Sequence, residues 1–174
     1  RVLFRSGVVV IRPERLPLRE QLRAYRNAER LIFEDGSAVH TLQLLGGGLG
    51  DVSILHRRPG VGPFYAVSIR PRARRFHWVE VLRGFLTPYR PSGAHISSLG
   101  MGIPDEALLL GALPDLLGDD SHAATIRAGW NSAAFAEAVE RDLVTWSNQL
   151  GVYMNLLCLP TTTAAITEIG RAHV

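Results

Sequence analysis

The chain of 174 residues contains no lysine and only one cysteine. All 19 basic residues are arginine, a bias that we attribute to a GC-rich genome rather than to function. Cys158 has no partner for an internal disulfide, and a single thiol excludes a cysteine-based zinc site. Long apolar runs are also missing, since no stretch approaches the roughly 18 residues that indicate a membrane span.

The two ends of the chain are related through the DNA that can encode them. CGTGTGCTCTTCCGATCT encodes Arg1–Ser6, and GAGATCGGAAGAGCACACGTC encodes the tail from Glu168 to Val174. Without its first base, the second string begins with the reverse complement of the first. Both strings resemble a common sequencing-library adapter, so we interpret residues 1–6 and 168–174 as translated adapter and leave them out of the fold. The alternative at the first end is a genuine strand at Val2–Phe4.

The part between these ends, Gly7 to about Thr167, has the length of one domain and enough residues for a core. We expect it to be an internal fragment of a longer protein. Without Arg1, Arg5, Arg171 and Glu168, the formal net charge falls from +3 to +1. A nearly neutral domain with few aromatic residues beside its arginines gives no indication of nucleic-acid binding.

Residues 7–59 alternate between apolar runs and helical stripes. The runs Gly7–Ile11, Arg30–Phe33 and Asp51–Leu55 predict three buried strands. Two sets of apolar residues at helical spacing predict the helices between them. These sets are Leu18, Leu22, Tyr25 and Ala28, then Val39, Leu42 and Leu45. The order is typical of parallel sheets, so the sequence predicts an α/β fold with a Rossmann-like doubly wound sheet.

The pattern is weaker beyond Pro59. Phe76–Leu86 predicts one further strand, and residues 88–104, rich in Gly, Ser and Pro, predict a loop. Pro104-Asp105-Glu106 predicts a helix start, and Asn131 or Ser132 predicts the cap of a longer helix. The stripe of that helix is interpreted as core: Phe135, Val139, Leu143, Trp146 and Leu150. We therefore expect a partial Rossmann-like lobe over residues 7–92 and a loop and helical extension over residues 93–167.

The turn after the second predicted strand is the main candidate for ligand binding, because open α/β sheets bind ligands beyond the carboxyl ends of their strands. Gly36 would let a ligand approach the backbone, Ser37 adds a hydroxyl, and the free N–H groups of the next helical turn suit a phosphate. His40 lies one turn further on. Arg57 and Arg58 follow the neighbouring strand, and guanidinium groups suit a diphosphate. The open alternatives are a turn that only caps a helix and a solvated basic loop.

Two other motifs are interpreted as structural. Gly46–Gly50 follows a helix and precedes a strand, whereas a phosphate-binding glycine loop precedes its helix. We expect this segment to end a helix. Asp119–His122 carries metal-ligating side chain types, but its polar surroundings predict a solvated loop. No metal site is predicted.

Residues 16–59, about a quarter of the chain, resemble glycosyltransferase family 61, including bacterial members of the capsular-polysaccharide type. The resemblance rests on Leu18-Arg19-Glu20-Gln21, the helix through Tyr25 and Ala28, the segment from Leu31 to His40, and Arg57-Arg58-Pro59. Many members carry His-Gly-Ala at the turn, where this chain has Asp35-Gly36-Ser37-Ala38.

The resemblance implies a two-lobed transferase of the GT-B type, with this chain as the C-terminal lobe that binds the donor. Its substrates would be a nucleotide-sugar donor and a glycan acceptor, with inverting transfer and no metal or cofactor. The absence of an Asp-x-Asp pair agrees, because it leaves no visible metal ligands. The implied diphosphate-binding residues are Gly36, Ser37, Ala38, His40, Arg57 and Arg58.

The catalytic base is not identified by the resemblance. Asp35 and Glu34 are candidates, and the missing N-terminal lobe could equally supply it, so the fragment alone is expected to be inactive. The expected location is the cytoplasm or the inner face of the membrane. The main alternative is a non-catalytic Rossmann-like module that binds a nucleotide or a partner protein, and another α/β enzyme, such as a hydrolase or methyltransferase, is a third reading.

Overall fold

A computed structural model describes residues 2–3, 8–90, 92–156 and 165–167, with side chains described for residues 8–90 and 92–150. Most of the predicted adapter residues lie outside these ranges. The α-helices are α1 (Leu18–Arg26), α2 (Gly62–Ile69), α3 (Glu106–Leu117), α4 (Asp120–Ala128) and α5 (Ser132–Leu156). The strands are β1 (Val2–Leu3), β2 (Val9–Val10), β3 (Arg30–Glu34), β4 (Leu49–Leu55), β5 (Ala73–Val79), β6 (Leu82–Thr87), β7 (Met101–Pro104) and β8 (Ala165–Thr167). The 3-10 helices are Pro13–Arg15, Ser37–Leu45 and Ser97–Leu99.

A parallel sheet of three strands, in the order β3-β4-β5, forms the centre of the fold. Arg30 pairs with Asp51, which pairs in turn with Arg75. The 3-10 helix Ser37–Leu45 and α2 make the two crossovers. The predicted α/β fold is thus confirmed. A doubly wound sheet also requires a reversal of strand order, whereas these three strands run consecutively.

One face of this sheet is apolar and carries the main core. Leu31, Phe33, Val52 and Ile54 are buried there, together with Tyr25 from α1. The 3-10 helix adds Val39, Leu42 and Leu45, whose spacing of three residues matches the three residues per turn of a 3-10 helix. The predicted helix is therefore present, in the 3-10 form throughout, and it ends at Gly46 as expected.

The opposite face carries an ionic cluster around Asp51. Arg30 and Arg75 approach its Oδ2 at 3.2 and 3.1 Å, and Arg74 donates to Oδ1 at 2.7 Å. The hydrogen bond from Arg74 is the main cause that lowers the pKa of Asp51 to about 2. Gly118, which ends α3, packs against the Arg30 guanidinium. Helical structure thus reaches this face as well.

The predicted buried strand at Gly7–Ile11 is wrong. Only Val9 and Val10 form a strand; both are exposed, and they pair antiparallel with Val2–Leu3 rather than with the parallel sheet. Gly7 lies outside the described residues. A short apolar run indicates an extended segment, but it does not specify which strand the segment joins.

The single strand predicted over Phe76–Leu86 is also wrong, because this segment is divided between two sheets. β5 joins the parallel sheet, whereas β6 lies at the centre of an antiparallel sheet ordered β7-β6-β8. The predicted loop 88–104 contains β7. Gly102 in β7 allows close packing, since a Cβ there would collide with the Arg57 carbonyl and with Leu82. A glycine that suggested a loop thus serves packing between strands.

The helical extension begins as predicted. Asp105 caps α3 by accepting from Leu108 N at 3.0 Å. The solvated loop expected at Asp119–His122 is instead a helix start, because Asp119 caps α4 and accepts from Ser121 N at 2.8 Å. Helix capping uses the same short polar residues that are common in loops.

The long helix α5 starts at the predicted cap, where Asn131 accepts from Ala134 N at 3.0 Å. Its predicted stripe packs inward, but these side chains are half-buried rather than core: Phe135, Val139, Leu143, Trp146 and Leu150. Trp146 donates to the Leu99 carbonyl at 2.6 Å. Among the described residues, no helix is long and apolar enough to cross a membrane.

We predict that Leu42→Ala lowers the free energy of unfolding by about 2–5 kcal/mol, because it leaves a cavity in the core. Leu44→Ala, in the same 3-10 helix, is the matched control, since Leu44 is 63% exposed; we expect it to change stability by about 0.5 kcal/mol or less. Urea denaturation measures both. Equal losses in the two variants would contradict the position of this helix over the core.

Candidate functional site

The predicted site residues meet at the carboxyl edge of the parallel sheet. Asp35 N donates to the Leu55 carbonyl at 3.0 Å, so β3 and β4 remain paired beyond Glu34. His56 N donates to the Val79 carbonyl at 2.8 Å, which holds the end of β4 against β5. The turn Gly36–Ala38 and the pair Arg57 and Arg58 therefore lie at adjacent strand ends, as the topology predicts.

The carboxylate of Asp35 is the centre of this edge. Asp35 is only 1% exposed to solvent. Arg58 donates from Nε to Oδ2 and from Nη2 to Oδ1, both at 2.9 Å, and the Tyr65 hydroxyl donates to Oδ1 at 2.6 Å. A bidentate arginine and a second donor satisfy a buried carboxylate. Asp35, Arg58 and Tyr65 thus join β3, the segment after β4, and α2.

The surroundings shift two pKa values in opposite directions. Burial raises the pKa of Asp35, but the hydrogen bonds from Arg58 and Tyr65 outweigh it and hold this pKa below its ordinary value. Burial, followed by the hydrogen bond to Asp35, raises the pKa of Tyr65 to about 12. Asp35 is therefore anionic and Tyr65 neutral at neutral pH. Both oxygens of Asp35 are occupied by donors.

The two predicted arginines differ in their surroundings. Arg58 is held by Asp35, whereas Arg57 donates from Nε to the Asp35 backbone carbonyl at 2.9 Å. The Arg57 Nη groups make no hydrogen bond in the described part of the chain. Glu34 approaches Arg57 Nε at 4.0 Å and its side chain is 72% exposed. Of the two arginines predicted from the sequence, Arg57 is therefore the one that keeps free Nη donors.

The turn itself has three consecutive N–H groups without a partner. The amides of Gly36, Ser37 and Ala38 donate to no acceptor within the described ranges, and Ser37 is exposed. Gly36 is extended, with φ 176°, and a Cβ there would meet nothing closer than 3.8 Å. A glycine is thus not required at position 36 by the fold itself.

His40 lies exposed beside this turn, on the 3-10 helix. Its ring centre is 5.7 Å from that of Phe64 and 5.6 Å from that of Tyr65. Gln43 Nε2 lies 3.4 Å from His40 Nδ1. The structure therefore brings His40 to the same edge as the turn, in contact with aromatic residues of α2.

An open groove of about 370 Å³ lies at the β5 side of the same edge. It is lined by His56, Gly60, Gly62, Pro63, Ala66, Arg70, Phe76, Trp78 and Glu80. None of the residues predicted from the sequence lines it. The sequence signal that was available is the position of His56, directly after a predicted strand at a carboxyl edge.

No cluster of three or more His, Cys, Asp or Glu side chains in the described part of the chain could hold a metal ion. Comparison with protein-family models, curated proteins and solved structures finds no match to the chain. The fold and the site define an α/β domain whose carboxyl edge presents free N–H groups, the Nη donors of Arg57 and an aromatic groove.

The two buried tyrosines give a matched test of the Asp35 cluster. Tyr65→Phe removes a hydrogen bond to a charge and should lower the free energy of unfolding by about 1.5–3 kcal/mol at pH 7. Tyr25 is equally buried, at 2% exposure, but its hydroxyl has no hydrogen-bond partner among the described residues. Tyr25→Phe should therefore cost nothing. Chemical denaturation measures both, and equal losses would contradict the cluster.

The same cluster predicts a loss of stability at alkaline pH. The raised pKa of Tyr65 means that the unfolded chain loses the hydroxyl proton first, near pH 10. The contribution of this hydroxyl to the free energy of unfolding is therefore complete below about pH 10 and declines towards pH 12. Tyr65→Phe should make the decline shallower. An unchanged slope in this variant would show that the Tyr65 hydroxyl is not protected by folding.

Proposed function

We propose that the chain is the donor-binding part of a glycosyltransferase that moves a sugar from a nucleotide-sugar donor to a glycan acceptor. The observation that carries the proposal is the row of three unpartnered N–H groups at Gly36, Ser37 and Ala38. Amides at a helix start bind phosphate groups, and open parallel sheets bind ligands at this edge. The resemblance of residues 16–59 to glycosyltransferase family 61 supports the same reading.

The turn and Arg57 would bind the diphosphate of the donor. Charge develops on this group as the bond to the sugar breaks, so fixed donors lower the energy of the transition state. Arg57 keeps free Nη groups beside the turn, and exposed His40 lies one turn further on. Positive charge and amide donors would serve without a metal ion, which is the metal-independent route expected from the sequence.

Arg58 and Asp35 have a different place in the proposal. Each is engaged by the other, and Asp35 has a lowered pKa and no exposed oxygen. We assign both to positioning the turn rather than to binding the diphosphate or accepting a proton. Glu34 is exposed and remains a candidate base.

The proposal includes the wider architecture that the family resemblance implies. A GT-B transferase binds its substrates in a cleft between two Rossmann-like lobes, so a second α/β lobe would lie upstream of this one. The proposed setting is synthesis of a capsular-type polysaccharide, in the cytoplasm or at the inner face of the membrane. Inverting transfer would require a base within hydrogen-bond reach of the acceptor hydroxyl.

Binding of inorganic pyrophosphate tests the proposed site. Ser37→Ala removes the hydroxyl donor, and Gly36→Val places a side chain in the space beside the three amides. The double variant should weaken binding at least about tenfold, because the loss of one charge-assisted hydrogen bond alone costs about 1.5–3 kcal/mol. The extended backbone at position 36 accepts a side chain, so the variant should fold. Isothermal titration calorimetry measures the affinity, and circular dichroism verifies the fold.

Gly47→Val is the matched control, because Gly47 is exposed in the loop at the other end of β4 and a Cβ there meets no atom within 4 Å. It should bind pyrophosphate like the unaltered chain. Undiminished binding in the double variant would refute the site. An unaltered chain with no affinity for pyrophosphate would refute donor binding and favour the partner-binding alternative.

A further inference from the structure

His56 is a buried histidine that the proposed function does not yet use. It follows β4 directly and is 8% exposed. Its Nε2 is hydrogen-bonded to the Arg58 carbonyl. A carbonyl oxygen only accepts, so Nε2 carries a proton, and in the neutral ring Nδ1 has the free lone pair. The hydrogen bond thus fixes both the tautomer and the orientation of the ring.

The free nitrogen of His56 belongs to a residue that lines the groove. The His56 Nδ1 has no hydrogen-bond partner in the described part of the chain. Unlike the Tyr25 hydroxyl, which also lacks a partner, this nitrogen is not fully buried. A ligand in the groove could therefore donate a hydrogen bond to Nδ1.

The groove combines aromatic surface with a few polar groups. Phe76 and Trp78 line it, and Trp78 is held from one side by Tyr65, which stacks on the indole with ring centres 5.8 Å apart and an angle of 21°. Gly62 packs on the same indole, since a Cβ there would lie 3.1 Å from Nε1. Arg70 and Glu80 add one charge of each sign, and neither has a partner among the described residues.

These features fit a hydroxyl-rich sugar ring. One face of a pyranose presents C–H groups, which pack on the negative face of an aromatic ring. Its hydroxyl groups both donate and accept, and can therefore bind a histidine lone pair, a guanidinium and a carboxylate together. Aromatic walls with a few placed polar groups are typical of small-molecule sites.

His56 also lies close to the phosphate turn. Asp35 N bonds to the Leu55 carbonyl, so His56 and the Asp35 turn follow paired strands, which are about 4.8 Å apart in a sheet. Arg58 links the two sites, because its side chain holds Asp35 and its carbonyl holds His56. A proton acceptor and a leaving-group site are thus neighbours on one edge.

We propose that the groove holds the acceptor sugar and that His56 Nδ1 accepts the proton of the attacking hydroxyl. This inference rests on the proposed function. As Nδ1 takes the proton, the hydroxyl oxygen forms a bond to the anomeric carbon of the donor. The bond from that carbon to the diphosphate oxygen breaks, and its electron pair leaves with the diphosphate at the Gly36–Ala38 amides.

Affinity labelling of the full chain tests this inference. N-bromoacetyl-β-D-glucosylamine alkylates histidine by forming a nitrogen–carbon bond with loss of bromide, and bromoacetamide does the same without a sugar. Binding in the groove should label His56 at least about tenfold faster with the sugar reagent, because the reactive group is held beside Nδ1. Exposed His77 and His122 should show no such preference. Mass spectrometry locates the label, and NMR of the product identifies the alkylated nitrogen.

Ala66→Trp is the control variant, because Ala66 lines the groove and a larger side chain there would fill it. It should abolish the preference at His56. The inference is overturned if His56 is unlabelled, if its preference equals that of His122, if the label lies on Nε2, or if Ala66→Trp retains the preference. Pyrophosphate binding, measured on the same sample, separates the two proposals, because its absence would refute the proposed function and the proton transfer with it.

Discussion

The structure of the carboxyl edge depends on the hydrogen bonds to the buried carboxylate of Asp35. This carboxylate accepts two hydrogen bonds from Arg58 and one from Tyr65, and so connects the end of β3, the segment after β4, and α2. Removal of one partner from such a buried pair leaves an uncompensated charge, which is far more costly than the net contribution of the pair. The geometry of the turn, of the Arg58 carbonyl and of His56 therefore follows from this one cluster.

A second buried carboxylate, Asp51, stabilises a different part of the sheet from Asp35. Asp51 lies within β4 among Arg30, Arg74 and Arg75, on the face opposite the apolar core. Arg30 and Arg75 are its register partners on the two neighbouring strands, so the cluster ties all three strands together. Asp35 lies at the carboxyl end, where its partners leave the amides of the turn free for a ligand.

The sequence predicts the helices and strands that have strong periodicity. It does not predict strand pairing that depends on tertiary contacts. α1, β3 and β4 follow from their stripes and runs, but the partner of Val9–Val10 and the break between β5 and β6 depend on strands that are distant in sequence. The approach of Arg57 and Arg58 to the turn follows from parallel topology alone. The topology does not predict that Arg58 rather than Arg57 points inward, because that depends on the buried Tyr65 and Asp35. The proposed role of His56 does not follow from the sequence, because its ring is oriented by a backbone carbonyl, which no sequence pattern displays.

A double-mutant cycle between Asp35 and Arg58 tests the central claim most directly. The free energy of unfolding would be measured for Asp35→Asn, Arg58→Met and the double variant. The structure predicts that each single change costs about 3–5 kcal/mol and that the double variant loses much less than the sum, because it leaves no unpaired buried charge. Additive losses would show that the two side chains are independent and would contradict the account of this edge.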